Sequence, residues 1–165
     1  MTGTRPYLLG GDKTPTFIGL QRGGFANPFD VNTSSGRALS DDLAIMLVNS
    51  YAKSGKRPTA LSTIPGMETA SIVVKTGSTG AERLVVIEVR EWKTDVFAQV
   101  TVSWDLTARI FDAAGRELAT EQSNGVEGTG SAGVSQDANA LIAQAAAKRR
   151  FGELLSKPAI IAALN

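Results

Sequence analysis

Apolar and polar residues alternate most strictly over "VTVSWDLTARIF". Val100, Val102, Trp104, Leu106, Ala108 and Ile110 fall on one side, and Thr101, Ser103, Asp105, Thr107 and Arg109 on the other. A period of two predicts a long strand with one buried face. "DAAG" at 112–115 has the Asp-first, Gly-last form of a tight turn. "RELATEQS" then predicts the returning partner strand, more polar and nearer an edge. Upstream, "SIVVKTGSTGAERLVVIEVREW" reads as two strands about a turn at Gly77–Gly80,. Val85, Ile87 and Val89 are expected inward, and Glu88 and Arg90 outward. "TPTFIGL" at 14–20 predicts a further strand, followed by a loop over 21–36.

Two stretches carry the helical period instead. Over "RALSDDLAIMLVNSYAKSG" the stripe is Leu39, Leu43, Met46, Leu47 and Tyr51,. Ser34 or Ser35 is the expected cap, Asp41 and Asp42 suit the first turns, and Gly55 suits the end. Over "SQDANALIAQAAAKRRFGELLS" the expected cap is Ser135, and the buried side is Leu141, Ile142, Ala145, Phe151, Leu154 and Leu155,. Pro158 stops this helix, and "AIIAAL" is expected to dock on the core. Residues 56–70 contain two prolines and read as a connection, and residues 124–134, rich in glycine, as a mobile loop. Residues 1–13 show no periodicity and read as a flexible tether ahead of a single domain over 14–165. Strands clustered between two helices, without βα alternation, predict an α+β fold. Its sheet is antiparallel or mixed, with the two main helices packed on one face.

Composition narrows the function classes. At 165 residues the chain can bury one sizeable core,. Its 17 basic and 16 acidic residues leave a net charge of +1, which argues against nucleic acid as a partner. It contains no Cys and no His. Thiolate nucleophiles, the usual zinc ligands and the usual general base are therefore missing. The expectation is a non-enzyme with no catalytic residues, no metal and no cofactor. No apolar run approaches the roughly 20 residues that span a bilayer. The opening residues lack the apolar segment of a secretory signal, so the protein is either cytoplasmic or a mature form freed of its leader.

Several short motifs imitate chemistry. In "IGLQRGGFANPFDVNTSSGR" a glycine-bearing loop joins a strand to a helix, the setting of many phosphate cradles,. Gly19 and Gly24 have the spacing of a P-loop, but Phe25 and Ala26 stand where Lys and Ser/Thr are required. The helix also starts about ten residues too late to receive a phosphate from those glycines. The simpler reading is a shaped turn, with Gly23–Gly24 free to take positive φ, Asn27–Pro28 making a second bend, and Phe25 and Phe29 pinning the loop to the core. Ser50-Tyr51-Ala52-Lys53 and Lys75-Thr76-Gly77 spell fragments of penicillin-binding motifs, but Ser50 lies near a helix end rather than its start. Lys148-Arg149-Arg150 reads as a solvated face, Glu88 with Arg90 as a surface ladder pair, and Trp92 and Trp104 as core-edge packing.

Taken together, "FIGLQRGGFANPFDV", the helix "LSDDLAIMLVNSYAKSG" and the ending "ANALIAQAAAKRRFGELLSKPAIIAAL" resemble bacterial envelope lipoproteins of the YajG type. Arg22, Gly23, Gly24, Phe25, Asn27 and Pro28 match the first element, and Leu154, Leu155, Pro158 and Leu164 the last. Related envelope domains, such as the TolB N-terminal domain and lipoprotein activators of peptidoglycan synthases, look like two helices on one face of a small sheet. The resemblance implies a signal peptide and a lipobox cysteine ahead of Met1, and a periplasmic domain held at the outer membrane by lipid alone. Without such a leader the location reverts to the cytoplasm. No catalytic residues carry over from the resemblance. The expected function is a protein-interaction module in envelope assembly or maintenance, with an envelope protein as partner and self-association compatible with the pattern. Arg22, Phe25, Asn27 and Phe29 are the expected binding residues, with Arg22 able either to present its fork outward to a carboxylate or backbone or to make a structural salt bridge or carbonyl clamp within the loop. The loop 124–134 is a second expected contact surface. The alternatives are a small-molecule binding module and a small hydrolase built on Ser50 with Lys53 or Lys75.

Overall fold

The computed structural model describes residues 1–23, 25–77, 79–132 and 136–165, with only the backbone of 136 and 137. The expected cap Ser135 and the expected turn glycine Gly24 lie outside the described residues. The element order is β1 (Thr2–Gly3), α1 (Pro6–Leu9), β2 (Phe17–Arg22), β3 (Pro28–Asn32), α2 (Leu39–Lys53), α3 (Thr69–Thr76), β4 (Arg83–Val96), β5 (Gln99–Asp112), β6 (Glu117–Ser131), α4 (Gln136–Leu155) and α5 (Pro158–Leu164). The strands form one six-stranded sheet in the order β3-β2-β4-β5-β6, with β1 beside β4. β2 and β1 run parallel to β4, while β2–β3, β4–β5 and β5–β6 are antiparallel. The fold is thus α+β on a mixed sheet.

The six residues expected inward on β5 are all buried. With Ile87, Val89 and Trp92 of β4, five of them, Val102, Trp104, Leu106, Ala108 and Ile110, meet Leu39 and Leu43 of α2, Ala146, Ala147, Phe151 and Leu154 of α4, and Ile160 of α5. α2, α4 and α5 therefore share one face of the sheet. On α4 Phe151 and Leu154 are buried as expected, and Ile142 and Leu155 partly so. Ala146 and Ala147 are inside, whereas Leu141 and Ala145 are exposed, because small residues let the helix lie close to the sheet. The turn at 112–115 forms as expected. The Asp112 carboxylate accepts hydrogen bonds from the backbone of Ala114 and Arg116, and Gly115 sits at φ 81,.

Four regions differ from the sequence reading. Residues 69–76 are helix α3, not a strand. α3 lies on the face of the sheet opposite the other helices, where Ile72 packs on Val86 and Phe111, so tertiary burial overrides the β propensity of "SIVV". Strand β6 continues through the glycines to Ser131, where a mobile loop was expected. A Cβ on Gly125 would stand 2.8 Å from the Trp104 ring, so the glycine makes room for the indole in a strand. The expected tether also enters the fold: β1 pairs with Glu88 and Val89. Arg5 is buried, donating to the carbonyls of Phe17 (2.5 Å), Pro15 (3.3 Å) and Trp92 (3.4 Å). Finally, α2 begins at Leu39 after Ala38, without a side-chain cap. The Ser35 hydroxyl is occupied by Asp42 (2.6 Å) and by the Arg37 backbone N–H (3.1 Å).

Candidate functional site

Residues 21–31, expected as a loop, build a β-hairpin. β2 and β3 pair down to Arg22 opposite Pro28. The turn closes when the Gly23 N–H donates to the Asn27 carbonyl (3.0 Å) and the Ala26 N–H to the Gly23 carbonyl (2.8 Å). Ala26 adopts φ 59, unusual for a residue with a side chain,. Asn27 contributes through its backbone, and its side chain is exposed.

The two phenylalanines expected to pin this segment to the core do the opposite. Phe25 is 94% exposed and Phe29 62%. The Phe29 ring lies beside Gly23, where a Cβ would come within 3.1 Å of it. β3 is the sheet's edge strand, paired with β2 alone. A third phenylalanine joins them. Phe29 pairs with Gln21, and Gln21 with Val96. Phe97, next in the chain after Val96, occupies the turn into β5 and is 57% exposed. Two adjacent turns and the start of β3, all at one end of the sheet, therefore present three largely exposed aromatic rings. Sequence reasoning missed Phe97, since only the parallel β2–β4 register brings residue 97 to the end where residue 25 lies.

Arg22 is held rather than presented. Its Nε donates to Asp95 Oδ1 (2.9 Å) and its Nη2 to Oδ2 (2.6 Å). This fork-to-fork pair stitches β2 to β4 behind the aromatic tip. Hydrogen bonding from Arg22 holds the Asp95 carboxyl below its usual range, and Asp95 raises the Arg22 guanidinium in return.

The residues of the hydrolase alternative are divided between the faces of the sheet. Ser50 and Lys53 line an open groove between α2 and α4, whereas Lys75 is on α3, which packs on the other face. The basic run 148–150 is only partly a solvated surface. Arg149 and Arg150 both bind Glu127 of β6. Arg150 also reaches Glu153 (2.7 Å) and lies 4.3 Å from the Trp104 ring centre,. The expected Glu88–Arg90 pair is loose at 3.8 Å. The close partner of Arg90 is Asp105, at 2.8 and 2.9 Å. Trp104 is buried with its indole N–H donated to Ser123 (3.0 Å), and Trp92 packs on Phe151.

No protein-family model and no curated protein sequence matches the chain. Among solved structures, it is similar to protein XCC0632 of Xanthomonas campestris, of the family DUF330. The TM-score is 0.57 at 12% identity, over 98% of this chain and 82% of that one. That likeness concerns the fold. The lipoprotein GNA1162 of Neisseria meningitidis aligns over 66% of this chain and 72% of its own, with TM-score 0.31 and 16% identity.

Proposed function

We propose that the protein is a non-catalytic interaction module of the bacterial cell envelope, and that the aromatic tip at Phe25, Phe29 and Phe97 is its contact surface for a protein partner. The carrying observation is the exposure of these three side chains at one end of the sheet. Apolar rings gathered in solvent mark a surface meant to be covered. The Arg22–Asp95 pair serves that surface by fixing the hairpin's angle, so the rings meet a partner without first paying to order the loop. The absence of Cys and His from the sequence supports a role without acid–base chemistry. The envelope assignment is supported by the resemblance of residues 17–31 and 138–164 to YajG-type lipoproteins. In that reading a lipidated cysteine encoded upstream of Met1 holds the domain at the periplasmic side of the outer membrane.

Two experiments test this. A photo-crosslinking residue placed at Phe25 should yield a defined protein adduct in living cells, and one placed at the exposed Ala145 should not. Phe29→Ser combined with Phe97→Ser should abolish that adduct while thermal unfolding stays unchanged. An adduct that survives the double substitution moves the contact surface elsewhere, and flotation of the purified domain with lipid vesicles through Phe25 replaces the protein partner by a membrane surface. For location, cell fractionation of the full-length product should place it with the outer membrane. Recovery in the cytoplasm overturns the envelope assignment.

A further inference from the structure

The apolar stripe of α2 is covered unevenly. Leu39 and Leu43 are buried, but Met46, Leu47 and Tyr51, further along the same stripe, are only half-buried. They form one wall of a groove of about 560 Å³, and Phe151, Gly152 and Leu155 of α4 form the other. Lys53 and Lys148 stand on its rim, with the hydroxyl-bearing Ser50 and Ser156 beside them. The volume falls in the range of clefts that hold a small organic ligand.

Two further observations say what fits. The first is charge. Arg149 and Arg150 are taken up by Glu127, but among the described residues neither Lys148 nor Lys53 has an acidic partner. The rim therefore carries two uncompensated cations over an apolar floor. The second is Gly152. A glycine inside a helix costs about 1 kcal/mol relative to alanine. Packing among the described residues does not require it, since an added Cβ would meet nothing of theirs within 4 Å. The missing side chain keeps the α4 wall of the groove from closing on α2.

We propose that this groove binds a single-chain anionic amphiphile, its acyl chain lying on Met46, Leu47 and Leu155 and its carboxylate held by Lys53 and Lys148. The floor supplies the apolar burial. The lysines, as mobile point charges on long stems, follow the head group at the edge of water. A protein helix would need anchors repeating along a longer trough. This site is separate from the aromatic tip and stands independently of the role proposed there.

The test is calorimetric titration of the purified chain with laurate below its micelle-forming concentration, beside the uncharged glycerol monoester of the same acid. One equivalent of laurate should bind saturably, and the ester about tenfold more weakly. Lys53→Gln with Lys148→Gln should weaken laurate by a similar factor and leave the ester unchanged. Gly152→Leu, which fills the groove from the α4 wall, should abolish both while the melting temperature holds or rises. Should Gly152→Leu unfold the chain, the lysine pair still decides. Equal affinity for acid and ester, or a lysine-independent laurate affinity, overturns the proposed head-group site. No saturable laurate binding by the unmodified chain overturns the ligand and leaves the groove to a protein segment.

Discussion

On the helix-covered side of β5, Val102, Trp104, Leu106, Ala108 and Ile110 join a continuous apolar core with α2, α4 and α5. On the other side of the same strand, Asp105 binds Arg90, and Arg109 approaches Glu88 at 3.9 Å. There α3 covers only the patch formed by Ile72, Val86 and Phe111, and the Thr69 hydroxyl ties its start to Glu88 (2.9 Å). One strand thus separates two kinds of cohesion. The covered face gains from area removed from water, which salt barely touches. The other gains from ion pairs about one-third exposed, each of modest worth and sensitive to salt. Stability should therefore be distributed very unequally across a sheet whose backbone pairing is continuous.

Leu106→Ala attacks the covered face at its centre and should cost about 2–5 kcal/mol in urea unfolding. A loss no larger than that of an exposed-face variant would erase the distinction between faces. Gly125→Val forces side-chain atoms into the Trp104 ring and should cost about 3 kcal/mol, with a shifted tryptophan emission. Unchanged emission would mean the indole does not depend on that glycine. Ile72→Ala removes the apolar contact of α3 and should cost about 2 kcal/mol, with hydrogen exchange rising in 69–76 before it rises in α4. Asp105→Asn should cost about 1 kcal/mol or less at neutral pH, and less still at high salt.

That last variant also has a pH signature. Hydrogen bonding from Arg90 depresses the Asp105 carboxyl. A carboxyl lowered in the folded state stabilises fully above its unfolded value, near pH 4, and loses that contribution as pH falls through the lowered value. Asp105→Asn should flatten the decline of stability below about pH 4. An identical acid profile in both proteins would show that the pair carries no linkage.

Where periodicity ran long, the sequence was a sufficient guide. Six alternating residues placed β5, and the stripe of α2 placed the helix that lines one side of the groove. Periodicity failed on short or unusual segments. α3 spans 8 residues, too few for a helical period to outweigh its β-branched run, and its burial comes from Ile72 packing on Val86 and Phe111 across the sheet. Gly125 and Gly128 read as loop by composition, yet each sits in β6 against a large neighbour, Trp104 or Gln99. Of the expected site residues, the structure brings Arg22, Phe25, Asn27 and Phe29 into one hairpin. The arginine is engaged in a salt bridge within the fold, and the phenylalanines expected to pin the loop to the core are exposed instead. Charge on a residue does not reveal whether its partner is internal, and Asp95 lies 73 positions away in the chain.

The buried Arg5 has a consequence in time. Its guanidinium rests on carbonyls of which one, at Trp92, is separated from it by 87 positions, and β1 finds its partner only at Glu88 and Val89. During synthesis the first segment of the chain emerges long before the surface that receives it. Such distant pairing closes late, after β4 and β5 have zipped through their short turn. Residues 2–5 are then expected to latch last onto an already formed sheet.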